Sequence, residues 1–151
     1  MARRALQRDL RVTDGAGSQD RPTSAIRVLI VDDDDLVAES LARCCRAPGL
    51  LVVGVASSAA SAVTAAVQRR PDVVLVDHRL GDDDGVTVAA KLLALVPTTK
   101  VVIVTGAATP ELEMAARLAG CSGCVQKDMQ VAHVLPSLVR RAYAGEALWP
   151  A

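Results

Sequence analysis

Residues 27–35 of the chain read RVLIVDDDD, a short aliphatic run followed at once by four aspartates. An aliphatic run without polar alternation is typical of a strand that is buried on both faces, as in a parallel sheet covered by helices. The aspartates mark the point at which this strand ends. The stretch therefore indicates a buried parallel strand that delivers carboxylates to one edge of a sheet.

The same kind of run recurs along the chain. Besides residues 26–31, β-branched and aliphatic residues fill 51–55, 73–76 and 101–104, with a weaker fifth candidate at 124–125. After each run, apolar residues repeat at helical spacing. Five strands that alternate with five helices predict an α/β fold, a (βα)5 doubly wound five-stranded parallel sheet in a single domain.

Prolines and glycines agree with this alternation. Pro71 is expected to stop the second helix, and Pro110 suits the first turn of the fourth helix. Gly120 is expected to end that fourth helix.

The composition excludes several classes of protein. The chain has 17 basic and 17 acidic residues, so it has no global cationic field that would hold nucleic acid or an anionic membrane. No stretch approaches the roughly 18 consecutive apolar residues of a membrane span, and charges interrupt the N-terminus where a signal peptide would be apolar. We therefore expect a cytoplasmic protein whose four cysteines are reduced thiols.

The length of 151 residues suits one domain with short additions at both ends. Residues 1–25 carry glycine, serine, proline and scattered charges, which predicts a flexible N-terminal arm. An Arg-rich docking segment, or a start codon placed too far upstream, would look the same. The domain itself is expected to span residues 26–145, and residues 146–151, with Trp149, are interpreted as a C-terminal stub or the start of a linker.

Polar residues at the strand ends carry the chemistry. The first strand ends in Asp32 and Asp33, the third in Asp77, the fourth in Thr105, and the fifth runs into Lys127. Ligands of such sheets bind beyond the carboxyl ends of the strands. Carboxylates that meet there would raise each other's pKa unless a cation compensates, and oxygen ligands in this number suit Mg²⁺. Each of these residues alone would be interpreted as a solvated polar group at a strand end, but their convergence on one edge of the sheet favours a magnesium site.

Four motifs follow one another along the chain: RVLIVDDDD (27–35), PDVVLVDHRLGDDDG (71–85), VVIVTG (101–106) and GCSGCVQKD (120–128). In this order and spacing, residues 26–145 resemble the receiver domain of bacterial response regulators. Lys127-Asp128-Met129 and Ala144-Gly145-Glu146 are similar to the NarL/FixJ branch of that family. The resemblance implies the flavodoxin/CheY-like form of the predicted sheet.

The resemblance also implies a set of metal ligands. Asp33 and Asp77 would bind Mg²⁺ directly, together with the backbone carbonyl of Arg79. Asp32 would complete the acidic pair through metal-bound water. Asp34 would lie near the outer shell of the metal without being a ligand.

The same resemblance implies that Asp77 is the phosphoacceptor. Thr105 would donate its hydroxyl to one phosphoryl oxygen and Lys127 would pair with another, while Gly106 leaves space for the donor. Since a carboxylate is a poor nucleophile towards an anionic phosphoryl group, the metal and the lysine must neutralise charge in the transition state. Such a chain is a signalling domain that assists its own phosphorylation and dephosphorylation, and not an enzyme.

The partners that the resemblance implies are proteins. A sensor histidine kinase would supply the phosphoryl group, and a homodimer would form through the first and fifth helices. Members of this branch carry a helix-turn-helix domain after the receiver, but this sequence ends within a few residues of the last helix, so we expect no direct DNA binding by this chain and no membrane partner. A stand-alone regulator and a piece of a longer DNA-binding regulator are both left open.

The other aspartates are interpreted differently. Asp35 is expected to be the N-cap of the first helix. Asp82 and Asp83 are expected to be solvated loop charges, and Asp84-Gly85 to form the turn that starts the third helix.

The chain departs from the family pattern at four positions. Cys124 stands where the family usually has an aromatic residue that reports phosphorylation, so the route of readout is open. Arg79 replaces a small polar residue and could slow or redirect the attack of water on a phosphoaspartate. Gly81 stands where proline is common, which should loosen its loop. Asp128 also stands where proline is common, and the isomer of the Lys127–Asp128 peptide is left open.

The cysteines allow two interpretations. Cys121 and Cys124 spell CxxC, which suggests redox chemistry or half a zinc site, yet they lie inside a motif whose spacing is already explained. Cys44 and Cys45 fit the apolar face of the first helix. We favour structural filling for all four.

Two other functions remain as alternatives. A receiver that no longer accepts phosphate would act as a binding module, a hypothesis that rests on Cys124 and Arg79. A phosphatase of the haloacid-dehalogenase kind would use residues 32–36, but Leu36 breaks its motif and Asp77 would have no role.

Overall fold

A computed structural model describes residues 25–128 and 130–150. The arm predicted for residues 1–25 lies outside the described residues, except for Ala25. In chain order the elements are β1 (Ile26–Val31), α1 (Asp35–Cys44), β2 (Leu50–Ala56), α2 (Ala59–Arg69), β3 (Val73–Asp77), β4 (Arg79–Leu80), β5 (Asp83–Asp84), α3 (Gly85–Leu95), β6 (Lys100–Thr105), α4 (Pro110–Ala119), β7 (Gly123–Gln126) and α5 (Val131–Tyr143).

The main sheet has five strands, all paired in parallel, in the order β2-β1-β3-β6-β7. The predicted doubly wound α/β fold is confirmed. All five predicted strands are present, and four of them extend one residue further at one or both ends than the aliphatic runs indicated. In β3 and β6 the ends differ because the terminal residues Asp77, Lys100 and Thr105 are polar and interrupt the aliphatic run.

The core forms two layers, one on each face of the sheet. Neighbouring strand residues point to opposite faces, so β1 divides its side chains between the layers. Leu29 and Val31 pack in the layer under α2, α3 and α4, whereas Val28 and Ile30 pack in the layer under α1 and α5. These four side chains are at most 1% exposed. Because each buried aliphatic side chain contributes roughly 1.5–3 kcal/mol, the core is stable without aromatic residues.

The first helix begins one residue earlier than the sequence indicated. Asp34, in extended conformation, is the N-cap of α1, and its Oδ1 accepts hydrogen bonds from the backbone N–H groups of Leu36 (2.9 Å) and Val37 (3.1 Å). The prediction that Asp35 caps this helix is wrong, since Asp35 is already the first helical residue. Its carboxylate lies in the first turn, where its negative charge interacts favourably with the positive end of the helix dipole.

The other helix boundaries agree with the sequence. Arg70, with φ of 49°, ends α2 directly before Pro71, and Pro110 opens α4 behind the N-cap Thr109. Gly120, with φ of 93°, ends α4, as glycine does at helix C-termini. Within the described part of the chain, no helix combines the length and apolar character that crossing a membrane requires.

A small hairpin follows the third strand and was not predicted. Its strands β4 and β5 pair antiparallel, Arg79 with Asp84 and Leu80 with Asp83, around a two-residue turn at Gly81 and Asp82. Gly81 has φ of 62°, which glycine adopts without strain. The loop that Gly81 was expected to loosen is therefore held by paired backbone.

Gly85 brings α3 close to the end of β3. A Cβ atom at this position would lie 2.1 Å from the backbone oxygen of Asp77, so no side chain fits there. The side chain of Asp84 caps the helix by accepting a hydrogen bond from Val86 N–H at 3.0 Å. Asp84-Gly85 thus starts the third helix, as predicted, and fixes it against the backbone of Asp77.

Candidate functional site

The sheet order places the candidate site between β1 and β3. From β1 the chain winds outward to β2 and then returns to the other side of β1 to form β3, so the winding direction reverses between these two neighbours. Such a reversal opens a crevice at the carboxyl ends of the strands. Asp32 and Asp33 follow β1 and Asp77 ends β3, so their side chains reach this crevice.

The three aspartates form a tight acidic cluster. Asp32, Asp33 and Asp77 each offer a carboxylate oxygen, and these oxygens lie within 4.8 Å of one another. Asp32 is 1% exposed, Asp77 is half-buried and Asp33 is exposed. Three oxygen donors at the mouth of a crevice fit Mg²⁺, which binds a few carboxylates and keeps several waters. The fourth predicted ligand residue, Arg79, lies on β4, two residues after Asp77.

Lys127 joins two of these carboxylates. Its Nζ donates hydrogen bonds to Asp32 Oδ2 at 2.9 Å and to Asp77 Oδ1 at 3.1 Å. Its backbone N–H donates to the carbonyl of Thr105 at 2.6 Å, which fixes the lysine directly after β7. The fold thus brings Asp32, Asp77 and Lys127 into contact, as the sequence predicted.

The pKa values reflect this arrangement. Burial raises the pKa of Asp77 above its ordinary value, and the charge of Asp32 raises it further, against the opposing effect of Lys127. Burial alone would lower the pKa of Lys127, but its hydrogen bonds and charge interactions with Asp32 and Asp77 raise it. The raised pKa keeps Lys127 cationic at neutral pH, whereas the anionic form of Asp77 is less favourable than that of an exposed aspartate.

Backbone N–H groups orient the other two carboxylates. Asp32 Oδ1 accepts from the N–H of Asp34 at 2.9 Å, and Asp33 Oδ2 accepts from the N–H of Gly81 at 2.8 Å. Sequence reasoning missed this role of Gly81. A proline at position 81 would have no N–H to donate, so the departure from the family pattern was the available signal.

Thr105 lies beside the acidic cluster but faces a different partner. Its hydroxyl accepts a hydrogen bond from Ala107 N–H at 3.2 Å and donates to the Ala107 carbonyl at 3.3 Å. Thr105 also borders a cleft of about 490 Å³ that is open at Asp77, Arg79 and Gly106. A Cβ at Gly106 would meet nothing within 4 Å, so the cleft has room for a donor next to Asp77.

The cysteines do not form a second cluster of ligands. Within residues 25–128 and 130–150, the acidic cluster is the one group of three or more His, Cys, Asp or Glu residues close enough for a metal ion. Cys121 and Cys124 are buried free thiols, and burial raises the pKa of Cys121 to about 12. Thiols that stay protonated are poor nucleophiles and metal ligands, which supports structural filling.

Asp128, at the position where the family commonly has proline, lies in the turn that precedes α5. Its side chain accepts a hydrogen bond from Gln130 N–H at 2.9 Å, and its carbonyl accepts from Val131 N–H at 3.2 Å. No cis peptide bond occurs among the described residues, so the Lys127–Asp128 peptide is trans.

Comparisons with known proteins give a family match for most of the chain. Residues 28–138 match the family model of the response regulator receiver domain. The DNA-binding transcriptional activator DevR/DosR of Mycobacterium tuberculosis is 36% identical over 106 residues, which are 70% of this chain and 49% of the relative. The chain therefore spans about half the length of that relative.

Solved structures show the same architecture. The signal receiver domain of the response regulator NarL from Mycobacterium tuberculosis has a TM-score of 0.76 and 27% identity, over 82% of this chain and 99% of that one. A response regulator protein from Burkholderia pseudomallei, which contains a phosphorylated aspartic acid, a calcium ion and citrate, has a TM-score of 0.68 and 27% identity. That match covers 80% of this chain and 70% of the other.

Proposed function

Because this chain belongs to the response regulator receiver family, and is thus a receiver domain of a two-component system, we propose that it accepts a phosphoryl group on Asp77 in a Mg²⁺-dependent reaction. The observation that carries the proposal is the position of Lys127, which contacts both Asp32 and Asp77 beside the acidic cluster. A cluster with one partly accessible carboxylate, a fixed cation and an open cleft has the parts that phosphoryl transfer needs.

The residues divide the chemistry between them. An oxygen of Asp77 attacks the phosphorus of the donor, and the donor group leaves with the bonding electron pair. Lys127 is placed to bond to a phosphoryl oxygen as negative charge gathers there. Asp32, Asp33 and Asp77, with the backbone carbonyl of Arg79, would hold Mg²⁺, which when bound neutralises the charge of the incoming phosphoryl group.

Thr105 would report the modification. Its hydroxyl must leave Ala107 before it can donate to a phosphoryl oxygen on Asp77. This exchange of partners changes the loop after β6, and a new set of charge-assisted hydrogen bonds can shift an equilibrium between two conformations.

The partners follow from the family. We infer that a sensor histidine kinase supplies the phosphoryl group in the cytoplasm and that the chain signals through protein contacts, including a homodimer through α1 and α5. The Burkholderia pseudomallei response regulator contains a phosphorylated aspartic acid and a calcium ion, which supports aspartyl phosphorylation and the binding of a divalent cation as the chemistry to test here. The family match removes the support for a haloacid-dehalogenase phosphatase.

The test uses beryllofluoride, which mimics a phosphoryl group, together with Mg²⁺. The wild-type protein should melt at a higher temperature with both additives than with Mg²⁺ alone, and Asp77→Ala should lose this shift. Asp83→Ala is the matched control, since Asp83 is an exposed aspartate of the neighbouring hairpin and should keep the shift. If wild-type protein shows no shift, the phosphate-independent binding module becomes the better hypothesis.

A further inference from the structure

The chain turns back on itself after α5. Gly145, with φ of 95°, donates its N–H to the carbonyl of Ala142, and Glu146 donates its N–H to the carbonyl of Arg141, both at 3.0 Å. These two bonds form a Schellman motif, which ends a helix and reverses the chain. The side chains of Arg141 and Glu146 add an ion pair at 3.1 Å. The segment that follows is thereby directed towards β7, the edge strand of the sheet.

Leu148 then pairs with this edge. Its N–H donates to the carbonyl of Ser122 at 2.8 Å, and its carbonyl accepts from the N–H of Cys124 at 3.0 Å. The pairing is parallel and centred on Gly123. The next rung of a parallel ladder would need an N–H at position 150, and Pro150 has none. The segment therefore adds one rung to the sheet and stops.

The side chains of the segment anchor it on both faces of the sheet. Leu148 is 7% exposed and packs in the layer under α1 and α5. Trp149 packs against the other layer, and the guanidinium of Arg117 on α4 lies 4.3 Å from the centre of its ring. Two neighbouring residues that point to opposite faces are what a strand provides. The anchoring is that of a docked strand rather than of a loosely attached linker.

The edge strand has a matching feature. A Cβ atom at Gly123 would lie 2.5 Å from the carbonyl oxygen of Leu148 and 2.6 Å from its Cβ. Any side chain at this position would exclude the segment. Glycine weakens a strand, so its presence in β7 is explained by the close approach of a second backbone.

The docked segment touches elements that lead to the phosphorylation site. Trp149 lines a groove of about 610 Å³ together with Cys124, and Ala108 forms another part of its wall. Ala108 follows Ala107, whose backbone holds the hydroxyl of Thr105. Lys127 lies three residues after Cys124. A change of hydrogen-bond partner at Thr105 would thus move the groove wall through the loop at Ala107 and Ala108. A change at Lys127 would act on the groove through β7.

From these contacts we propose that the outer edge of β7 is a peptide-docking surface whose resting occupant is the chain's own Leu148–Trp149, and that phosphorylation of Asp77 releases it. The docking rests on the contacts above alone, while the release rests also on the proposed function. The movement of Thr105 towards the phosphoryl group would pull Ala107 and Ala108 away from the groove, and Trp149 would lose part of its support.

The chain has one tryptophan, so its fluorescence reports the segment directly. In the unmodified full-length protein, acrylamide should quench Trp149 less than in Gly123→Val, where the new side chain excludes Leu148 while valine favours the strand. Lys100→Val is the matched control, because the same residue enters the neighbouring strand β6 at a position that does not line the groove, and its quenching should equal that of wild type. Leu148→Asp repeats the test from the segment itself, in case Gly123→Val does not fold.

The release is tested by adding Mg²⁺ and beryllofluoride. The emission of wild-type Trp149 should move to longer wavelength and its quenching should rise to the value of Gly123→Val, whereas Asp77→Ala should not respond. A thermal shift without any fluorescence change would overturn the release and leave the proposed function standing. Absence of both responses would overturn the release together with the proposed function.

Two further results decide the docking itself. Equal quenching in wild type, Gly123→Val and Leu148→Asp would show that the segment is not docked. Quenching that falls as the protein concentration rises would assign the surface to a second copy of the chain and overturn the choice of occupant.

Discussion

Asp77 is placed where its charge is disfavoured until a cation binds. Because burial and the charge of Asp32 raise its pKa, the folded protein binds this proton more tightly than the unfolded chain does. Such a group contributes stability that is complete below its unfolded pKa of about 3.9 and is lost as the pH rises through the folded value. At neutral pH, without metal, the charged Asp77 therefore destabilises the fold.

Asp77→Asn should for this reason be more stable than wild type at neutral pH in the absence of Mg²⁺. The difference should shrink as the pH falls through the raised pKa of Asp77 in the folded protein, because the protonated wild-type side chain is then uncharged like asparagine. Urea unfolding at a series of pH values, with chelator present, measures this. A difference that stayed constant with pH would contradict the raised pKa, and Asp83→Asn provides the control because Asp83 is exposed in the hairpin.

Single residues were predictable from the sequence where a strand end fixed their position. Asp32, Asp77 and Lys127 meet because each follows a buried run, and the ends of parallel strands share one edge. The prediction of the N-cap was wrong because Asp34 and Asp35 have the same side chain, and only the backbone conformation decides which of them caps the helix. Gly81 was missed because its contribution is a backbone N–H, which every residue except proline offers, so that the departure from proline was its one signal.

At the scale of elements, the correction at α1 gives a sharp test. Asp34→Ala removes the acceptor for two backbone N–H groups and should lower the free energy of unfolding by about 1 kcal/mol. Asp35→Ala removes only a favourable charge in the first turn, which contributes roughly 0.3–1 kcal/mol and fades with added salt. Denaturant unfolding at low and high salt separates the two, and a larger, salt-independent loss in Asp35→Ala would restore Asp35 as the cap.

The elements that escaped prediction are the shortest ones. Four of the five main strands were visible because four or more aliphatic residues stand together, and β7 was a weaker candidate because its run has two residues. The strands β4 and β5 have two residues each and show no periodicity. Leu148 forms a single bridge with the sheet, and a pairing of one residue leaves no periodic pattern in the sequence that could predict it. These short pieces are placed by tertiary contacts, with Gly81 against Asp33 and Gly123 against Leu148.

On the scale of the whole molecule, the proposed Mg²⁺ site would link the stability of the fold to the metal. A cation that binds only the folded state adds stability in proportion to the logarithm of its concentration, about 2.7 kcal/mol at one hundred times the dissociation constant. The melting temperature should thus rise steadily with Mg²⁺ and return on addition of chelator.

Asp33→Asn tests this link with little change to the fold, because Asp33 is exposed and an asparagine oxygen can still accept from Gly81 N–H. We expect its melting temperature to respond weakly to Mg²⁺, while Asp82→Asn should respond like wild type. A full response in Asp33→Asn would remove this residue from the proposed ligand set.

The rung formed by Leu148 also bears on the solubility of the protein. An open sheet presents unpaired N–H and C=O groups along its outermost strands, and such strands template the pairing of further chains into aggregates. Leu148 covers the start of β7 at Gly123, and Pro150, two residues later, offers an incoming strand no donor. The segment thus blocks the pairing of this edge with a strand of another molecule. When it dissociates from the sheet, the edge of β7 would be exposed to such pairing.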